Sequence, residues 1–484
     1  IHAPTMNLLV VFFYPERWNE KTRMEIFVNF EGAVVVLTPY HIDYLTQFGT
    51  DFSSYYPFMD GEETIDKFCP YAYYLTISFN ESIFKLFTEP YPRYECFYDP
   101  DQFPQAEILA TAFVFKLSLP LVNYNEQQKQ VSFKAEMNSA KVSFYLPDNH
   151  LMRIRRGPQK KFIYDFVLMD RFILIGNYNW SADEHGDCQI PVNIQISNVE
   201  GVITIGTLVT LIGTIANYTS RERQHPKIWN DPPQKDIFKY INNTSVRVSI
   251  ERGTVKVPLD LYEPNAGAIA HASDILIGVE GYHPFWHALV DIGCAVVELP
   301  RTDFPYDRYF NQKIQSDNGP KEGTFHVEYI HITMKTISTF TGYNFVELHT
   351  KIGCEIGNID GFALMPQLFC GLEIAWNIIH SFFGDDVSKI RKFDPFYIYK
   401  VEVFRICIGS IRVYLDMGDT GLVLAMLPGG VVVYSDTLID ENAHYVIFVH
   451  LPSIDAHIIK YSQEEDRVHC IFRTSTYLNV VRDI

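Results

Sequence analysis

The stretch Val131–Pro147, VSFKAEMNSAKVSFYLP, decides the fold. Its apolar residues fall on every second position, first as Val131, Phe133, Ala135 and Met137 and then as Ala140, Val142, Phe144 and Leu146. Because a strand turns successive side chains to opposite faces, this pattern predicts two strands, each with one apolar and one polar face, separated near Asn138–Ser139. The apolar face must be covered by something, and the rest of the chain has to supply it.

The composition favours a mainly β protein. The 484 residues are 47% hydrophobic and only 20% charged, and they include 36 Phe and 30 Tyr. Aromatic and β-branched residues suit a pleated surface, and such a composition excludes wholesale disorder. The length is several times that of a usual domain, which predicts several units or one elongated unit.

The charge balance limits the possible partners. There are 40 Lys and Arg against 58 Asp and Glu, giving a net charge of −18 without a long basic run, so a nucleic-acid partner is not expected. The densest basic patch, Arg153–Arg156 with Lys160 and Lys161, is interpreted as a solvated loop, with contact to lipid headgroups or a partner as the alternative. No apolar run is long enough to predict a membrane-spanning helix. The chain opens at Ile1 without a signal-peptide pattern, so we expect it to be part of something longer.

Two features give opposite indications of the compartment. The eight cysteines are scattered without a CxxC pair, which favours reduced thiols and a cytosolic location. The glycosylation sequons at Asn80, Asn179, Asn217 and Asn243 would instead suit a secreted chain.

A short motif occurs three times. Asn29-Phe30-Glu31-Gly32, Asn198-Val199-Glu200-Gly201 and Asn358-Ile359-Asp360-Gly361 share the order Asn, apolar, acidic, Gly and are spaced by about 160–170 residues. Each copy is followed by a short apolar strand and then by a segment with helical spacing, which predicts one short helix per copy; the spacing is clearest in Leu208, Leu211, Ile212 and Ile215 and in Leu368, Leu372, Ala375 and Ile379.

Each copy also leads to a Leu-Pro pair, at Leu119-Pro120, Leu299-Pro300 and Leu451-Pro452, where a strand is expected to stop. This order predicts three units, over residues 1–170, 171–330 and 331–484. One discordance is that Met24, Ile26 and Val28 in the first copy are out of phase with the other two copies, which a bulge would correct.

Further strands alternate in the same way and predict an antiparallel meander. Two explanations for their apolar faces remain open. The first is a second sheet, which gives a row of β-sandwiches. The second is acyl chains bound along a curled sheet, where each buried methylene contributes roughly 0.8 kcal/mol.

The order of these features resembles the bridge-like lipid-transfer proteins, a superfamily of repeating β-groove units. The resemblance is carried by FCPYAYYLTISF at Phe68–Phe79 and by the following AEILATAFVFKLSLP and VSFKAEMNSAKVSFYLP, which are most similar to the tweek-type branch that includes the yeast cold-sensitive-fermentation protein. It implies a mainly β fold: an elongated, curled antiparallel sheet that forms a hydrophobic gutter, built of repeating units with one short helix each.

The resemblance also implies a function. Members transport glycerophospholipids between organelle membranes at contact sites without vesicles, and they have no catalytic residues. The expected cofactors are none, with phospholipids bound as cargo. The expected partners are donor and acceptor membranes and membrane adaptor proteins, and the expected location is the cytosolic face of endoplasmic reticulum contact sites, within a longer membrane-anchored protein. The groove-lining candidates are the alternating apolar residues Val131, Phe133, Ala135, Met137, Val142, Phe144, Leu146, Ile194, Ile196, Val246, Val248, Ile250, Val255, Val257, Ile411, Val413 and Leu415.

Several patterns typical of enzymes or metal sites have simpler interpretations. Asp419-Thr420-Gly421 matches an aspartic-protease core, but it has no second copy and is interpreted as a hairpin turn. His283 and His287 have the spacing of a helical metal pair without a third ligand, so HPFWH is interpreted as an aromatic turn. Asp385-Asp386 is interpreted as a solvated helix end. The chain is therefore not expected to be an enzyme. The alternative function is a structural or adhesion protein of tandem β-sandwiches, which the sequons would allow to be secreted, and a carbohydrate-active β enzyme is a third alternative.

Overall fold

A computed structural model describes most of the strand-forming parts of the chain. The described residues are 5–13, 23–37, 72–87, 105–120, 129–146, 162–180, 190–202, 214, 244–258, 267–282, 285–299, 323–341, 345–372, 397–418, 420–439, 442–460 and 467–483. They contain 26 strands and almost no helix, so the prediction of a mainly β protein is confirmed. The chain divides into two units, Ile1–Thr244 and Ser245–Ile484, and each is described by itself.

The first unit contains twelve strands. They are β1 Thr5–Phe13, β2 Arg23–Glu31, β3 Val34–Leu37, β4 Ala72–Asn80, β5 Ser82–Phe87, β6 Gln105–Thr111, β7 Phe113–Pro120, β8 Lys129–Met137, β9 Ser139–Leu146, β10 Phe162–Met169, β11 Phe172–Trp180 and β12 Ile190–Val202.

Most of these strands lie end to end in pairs, whereas β12 is a single strand that pairs with both β10 and β11. β8 and β9, which the sequence separated at Asn138–Ser139, do not pair with each other: β8 pairs with β7 and β11, whereas β9 pairs with β6 and β10. One half of the sheet therefore has the order β1-β2-β4-β7-β8-β11-β12, and the other has the order β3-β5-β6-β9-β10-β12.

We call the line where the two halves meet the crease. It crosses neighbouring strands at Gly32, Glu81, Ala112, Asn138, Asp170 and Asn198. Backbone hydrogen bonds continue along it, from the Gly32 N–H to the Asn80 carbonyl at 3.0 Å and from the Asn138 N–H to the Thr111 carbonyl at 3.2 Å. The ladder is thus interrupted by one or two residues in each strand but not broken.

The second unit repeats this plan with longer strands. They are β13 Thr244–Pro258, β14 Gly267–Tyr282, β15 Phe285–Ile292, β16 Cys294–Glu298, β17 Thr324–Val327, β18 Ile330–Thr341, β19 Phe345–Ile356, β20 Ile359–Leu364, β21 Tyr397–Ile408, β22 Ile411–Asp416, β23 Thr420–Met426, β24 Gly430–Ile439, β25 Asn442–Lys460 and β26 Arg467–Asp483.

A second crease divides this unit. On one side the order is β13-β14-β15-β18-β19-β21-β24-β25-β26, and on the other it is β13-β14-β16-β17-β20-β22-β23-β25-β26. The crease passes through Asp274, Gly293, Gly357 and Gly409, and the Gly293, Gly357 and Gly409 N–H groups donate to neighbouring strands.

The sheet is mixed, which corrects the prediction of a purely antiparallel meander. β2 pairs parallel with β4 and β3 with β5, and in the second unit β19 pairs parallel with β21 and β20 with β22. Each parallel pair flanks a long connection, residues 38–71 or 365–396, and a connection of that length is what parallel neighbours require.

The expected stop at Leu451-Pro452 is wrong, because β25 runs through it. The pairing of β25 with β26 shifts between Leu451 and Ile454, which lies on the crease, and a proline is tolerated where the ladder is interrupted. At Leu119-Pro120, by contrast, β7 ends as expected.

One predicted helix is present in the described residues. Residues 365–372, here α1, are helical directly after β20, and the Gln367 side chain caps the start by accepting a hydrogen bond from the Leu364 N–H at 3.0 Å. The helical spacing around Leu208 and after Gly32 lies outside the described residues, except that Thr214 is helical. A helix in every repeat therefore stays a prediction, as do the three unit boundaries.

Candidate functional site

The strand register shows that one face of the first unit is apolar. Directly opposed residues on neighbouring strands point to the same side of a sheet. The row nearest the crease runs across seven strands as Met6, Phe30, Phe79, Phe113, Met137, Phe172 and Ile196. The next row along the strands is Leu8, Val28, Ile77, Phe115, Ala135, Leu174 and Ile194. We call this side the apolar face.

The opposite side, the outer face, carries ion pairs. In the first unit Lys134 contacts Glu136 at 2.9 Å and Arg171 contacts the same carboxylate at 3.3 Å, and hydrogen bonds from Lys134 and then Arg171 hold the pKa of Glu136 below its usual value. In the second unit the outer face pairs His349 with Glu402 at 2.8 Å. The sheet is therefore amphipathic.

The alternation of faces changes phase at the crease, and the apolar face continues across it. In β8–β9 the apolar positions step from Met137 to Ala140, three residues on, instead of two. Ring contacts show that both halves stay on one side: Phe84 of β5 lies 5.8 Å from Phe79 of β4 and 6.3 Å from Phe113 of β7, measured between ring centroids.

The apolar positions beyond the crease form a second wall. Val35, Phe84, Ile108, Val142 and Val167 share one row, and Ala106 beside them is buried against Leu86, Val142 and Val167.

The second unit has the same apolar face with different residues. Its row nearest the crease is formed by isoleucines from six neighbouring strands, Ile250, Ile275, Ile292, Ile330, Ile356 and Ile408. A Cβ built on Gly253, beyond the crease, would lie 3.0 Å from the Ile275 Cδ1, so the two positions share one side. Burial raises the pKa of the Cys354 thiol, which occupies the next row between Ile332 and Ile406.

The described residues include no second layer that buries this face. Large side chains such as Phe115, Phe133, Ile332 and Phe404 are partly exposed, whereas seven of the thirteen buried apolar residues in the described part of the chain are alanines. On the first strand, Met6 and Leu8 are 59% and 61% exposed. In a β-sandwich the inner residues of both sheets would be buried in a shared core.

The structure places the predicted lining residues on this one face. Val131, Phe133, Ala135, Met137, Ile194, Ile196 and Val142 have apolar-face positions in the first unit; Val246, Val248, Ile250, Val255, Val257, Ile411, Val413 and Leu415 have them in the second. The backbones of Phe144 and Leu146 lie in β9, but their side chains are outside the described part of the chain. That any of them contacts lipid stays a prediction.

Sequence reasoning missed much of the face. The four phenylalanines of the first unit's row nearest the crease, and all of the isoleucine row except Ile250, were not among the candidates, although β4, β7, β18 and β19 carry the same alternation as β8. The phase change explains the discordance in the first motif copy. In that copy the apolar-face positions keep one phase through Phe30 and change at Gly32. In the second copy the change falls earlier in the motif, at Ser197–Asn198.

The other chemical patterns do not assemble into a site in the described residues. Gly418 and Gly421 lie at the hairpin turn between β22 and β23, as expected, while Asp419 is not described. His287 lies on strand β15 opposite Glu280 and Lys335, so a helical metal pair does not form, and the described residues contain no group of metal ligands. His283, Arg153–Arg156, Lys160, Lys161 and Asp385-Asp386 lie outside the described residues.

The four described cysteines, Cys294, Cys354, Cys370 and Cys407, are free. Among the described residues, no helix has the length and apolar character needed to cross a bilayer. In comparisons with known proteins, no family model and no curated protein matches this chain.

Proposed function

We propose that this chain is a non-enzymatic conduit for glycerophospholipids, part of a longer protein that transfers them between organelle membranes at contact sites of the endoplasmic reticulum. The observation that carries the proposal is the apolar face, which continues across the crease in both units, is opposed by a charged outer face, and has no covering layer in the described residues.

The dimensions of the face suit acyl chains. Successive apolar positions on a strand are about 6.6 Å apart, because each residue rises about 3.3 Å. The two rows described on one side of the crease therefore span about 13 Å of apolar surface. A two-chain lipid that leaves a bilayer needs on the order of twenty kcal/mol of apolar burial in return, at roughly 0.8 kcal/mol per methylene. Only a continuous lining can provide this.

The strand plan supports repeating groove units. Between the connections 38–71 and 203–243 the chain forms five long strands, each crossing the crease: β4–β5, β6–β7, β8–β9, β10–β11 and β12. Between 203–243 and 365–396 it forms five more, β13, β14, β15–β16, β17–β18 and β19–β20. The three motif copies lie where β2–β3, β12 and β19–β20 cross the crease, each on the strand that precedes a long connection.

The exposure of the face also separates this proposal from the alternative of tandem β-sandwiches. A structural or adhesion protein of that kind needs its apolar faces buried to be stable, whereas here Phe133 and Phe115 are partly exposed. A mobile ligand that fills the face explains why large apolar residues remain accessible.

Adjacent residues of β8 provide a matched test. Phe133→Asp places a charge on the apolar face, and Ser132→Asp places the same charge on the outer face one residue away. Burying an unpaired carboxylate among acyl chains is strongly unfavourable, so we expect Phe133→Asp to lower both co-purified phospholipid and vesicle-to-vesicle transfer by about tenfold or more, with Ser132→Asp close to wild type.

Native mass spectrometry measures the bound lipid, and fluorescent-phospholipid transfer between vesicles measures the activity. Circular dichroism confirms that both variants fold. Absence of phospholipid from the gently purified wild-type chain, or normal transfer by folded Phe133→Asp, would contradict the proposal.

A further inference from the structure

Four phenylalanines on the apolar face of the first unit form one cluster. Phe30 stacks on Phe79 with ring centroids 4.8 Å apart, and Phe113 lies 6.0 Å from Phe79. Phe84, from the other side of the crease, contacts both Phe79 and Phe113 in edge-to-face geometry. We call these residues the Phe cluster; such aromatic pairs contribute about 0.5–1.5 kcal/mol each beyond area burial.

The Phe cluster lies where the floor of the crease is sealed. Ala33 and Ser82 are 0% exposed, and Ala110 is 1% exposed. All three occupy the first row beyond the crease, where Ser82 of β5 is paired with Ala110 of β6. The Ser82 hydroxyl is inaccessible and has no hydrogen-bond partner among the described residues. Because the Ser82 side chain is fully enclosed by protein atoms, the floor of the crease is closed to solvent at this position.

The second unit differs at the same positions. Its row nearest the crease consists of isoleucines instead of phenylalanines, and the small residues in the first row beyond the crease, Gly253, Ala272 and Ala295, are partly exposed. The two units thus share one strand plan but differ in whether side chains cover the crease floor.

We propose that the Phe cluster is a positioning element that limits how deeply an acyl chain enters the apolar face of the first unit. Acyl chains rest on the four rings there, whereas in the second unit they reach the crease floor beside Ala272 and Ala295. This inference rests on the proposed lipid function, because it specifies where the methyl end of a chain lies. Because the rings already pack against one another, a ligand can contact only their outer edges.

A phosphatidylcholine with a diazirine at the methyl end of one acyl chain reports this depth. After loading and irradiation of the whole chain, peptide mass spectrometry locates the label. In wild type we expect label on Phe79, Phe84 and Phe113 at least threefold above that on Ser82 and Ala110, and label on Ala272 and Ala295 in the second unit.

The matched variant is Phe79→Ile with Phe113→Ile, which gives two strands of the first unit the residue type that the second unit carries in the same row. We expect label on Ser82 and Ala110 to rise at least threefold as a share of all label in the first unit, while label at Ala272 and Ala295 stays the same. The same lipid with its diazirine near the ester group is the positional control, and its labelling should not change.

The outcomes separate the inference from the proposed function. Wild-type label on Ser82 and Ala110 equal to that in the variant overturns the role of the Phe cluster but leaves lipid binding intact. Failure of the wild-type chain to bind the phospholipid overturns the proposed function. If the double variant unfolds, Phe113→Ile alone provides the test, with the same change in label expected at Ala110.

Discussion

Four non-glycine residues adopt positive-φ backbone at the creases, among them Ser453 with φ of 27°. Glu81 and Ala112 have φ of 51° and Asp274 has φ of 53°, while Gly32 provides the same turn at 61°. A left-handed conformation costs an L-residue roughly 1–2 kcal/mol, because Cβ approaches the following carbonyl. The creases therefore contain stored backbone strain, which surrounding strands compensate.

This strain makes Ala112 a site where glycine should stabilise. Ala112→Gly removes the Cβ clash, which outweighs the entropy that glycine loses on folding, so we expect the free energy of unfolding to rise by about 0.5–1 kcal/mol. Chemical denaturation monitored by circular dichroism measures the change.

Ala110 is the matched control, two residues away in β6. It is buried in extended strand, so Ala110→Gly should lower the free energy of unfolding by about 1 kcal/mol. Equal destabilisation by both substitutions would show that the left-handed conformation at Ala112 stores no strain.

At the scale of elements, the motif asparagines join neighbouring strands at the crease. Asn29 accepts a hydrogen bond from the Ser78 hydroxyl at 2.8 Å, and the Asn198 amide donates to Asp170 at 2.7 Å. Asn358 donates to Glu328 at 2.7 Å and accepts from both the N–H and the hydroxyl of Ser410. The motif thus has a structural explanation: its asparagine fixes the strand before a long connection to the strand beside it.

A double-mutant cycle tests this role. Asn358→Ala removes contacts to two neighbouring strands and should lower the free energy of unfolding by about 1–2 kcal/mol. Its coupling with Glu328→Ala should be about 0.5–1 kcal/mol, whereas coupling with Asp360→Ala, which removes another acidic side chain nearby, should stay within about 0.3 kcal/mol. Coupling no larger with Glu328 than with Asp360 would contradict the assignment.

The strands were predictable where alternation was local, and their partners were not. The pattern of Val131–Met137 and of Val142 gave both strand type and apolar face. The three-residue step across Asn138–Ser139 indicated a break, but two strands joined by a hairpin and two strands placed end to end give the same sequence pattern. The two arrangements are distinguished only by the strand pairing: β8 pairs with β7 and β11, whereas β9 pairs with β6 and β10.

Parallel pairing was also beyond the sequence pattern. The apolar residues of β2 and β4 alternate as they would in an antiparallel pair, so Met24, Ile26 and Val28 carry no signal of direction. Direction is set by the long connection 38–71 between them, whose length indicates a crossover only once the two strands are known to be neighbours.

At the scale of the whole molecule, both units leave a large apolar face accessible. Monomeric soluble proteins rarely expose contiguous apolar patches larger than a few hundred Å². A bound lipid that covers the face stabilises the folded state by mass action, about 2.7 kcal/mol when the free ligand is at a hundred times its dissociation constant. The stability of the chain should therefore depend on its lipid content.

Removing lipid with cyclodextrin tests this dependence. We expect the delipidated chain to unfold about 5–10 °C lower than the loaded chain and to bind more of a dye that reports exposed apolar surface. Adding phospholipid vesicles should restore both quantities in a concentration-dependent way. Phe133→Asp, which weakens loading in the proposed mechanism, should show a smaller shift on delipidation, and Ser132→Asp should match wild type. An unfolding temperature and dye binding that stay unchanged on delipidation would mean that the apolar face is covered by protein, as in a sandwich, because only a protein cover would survive removal of the lipid.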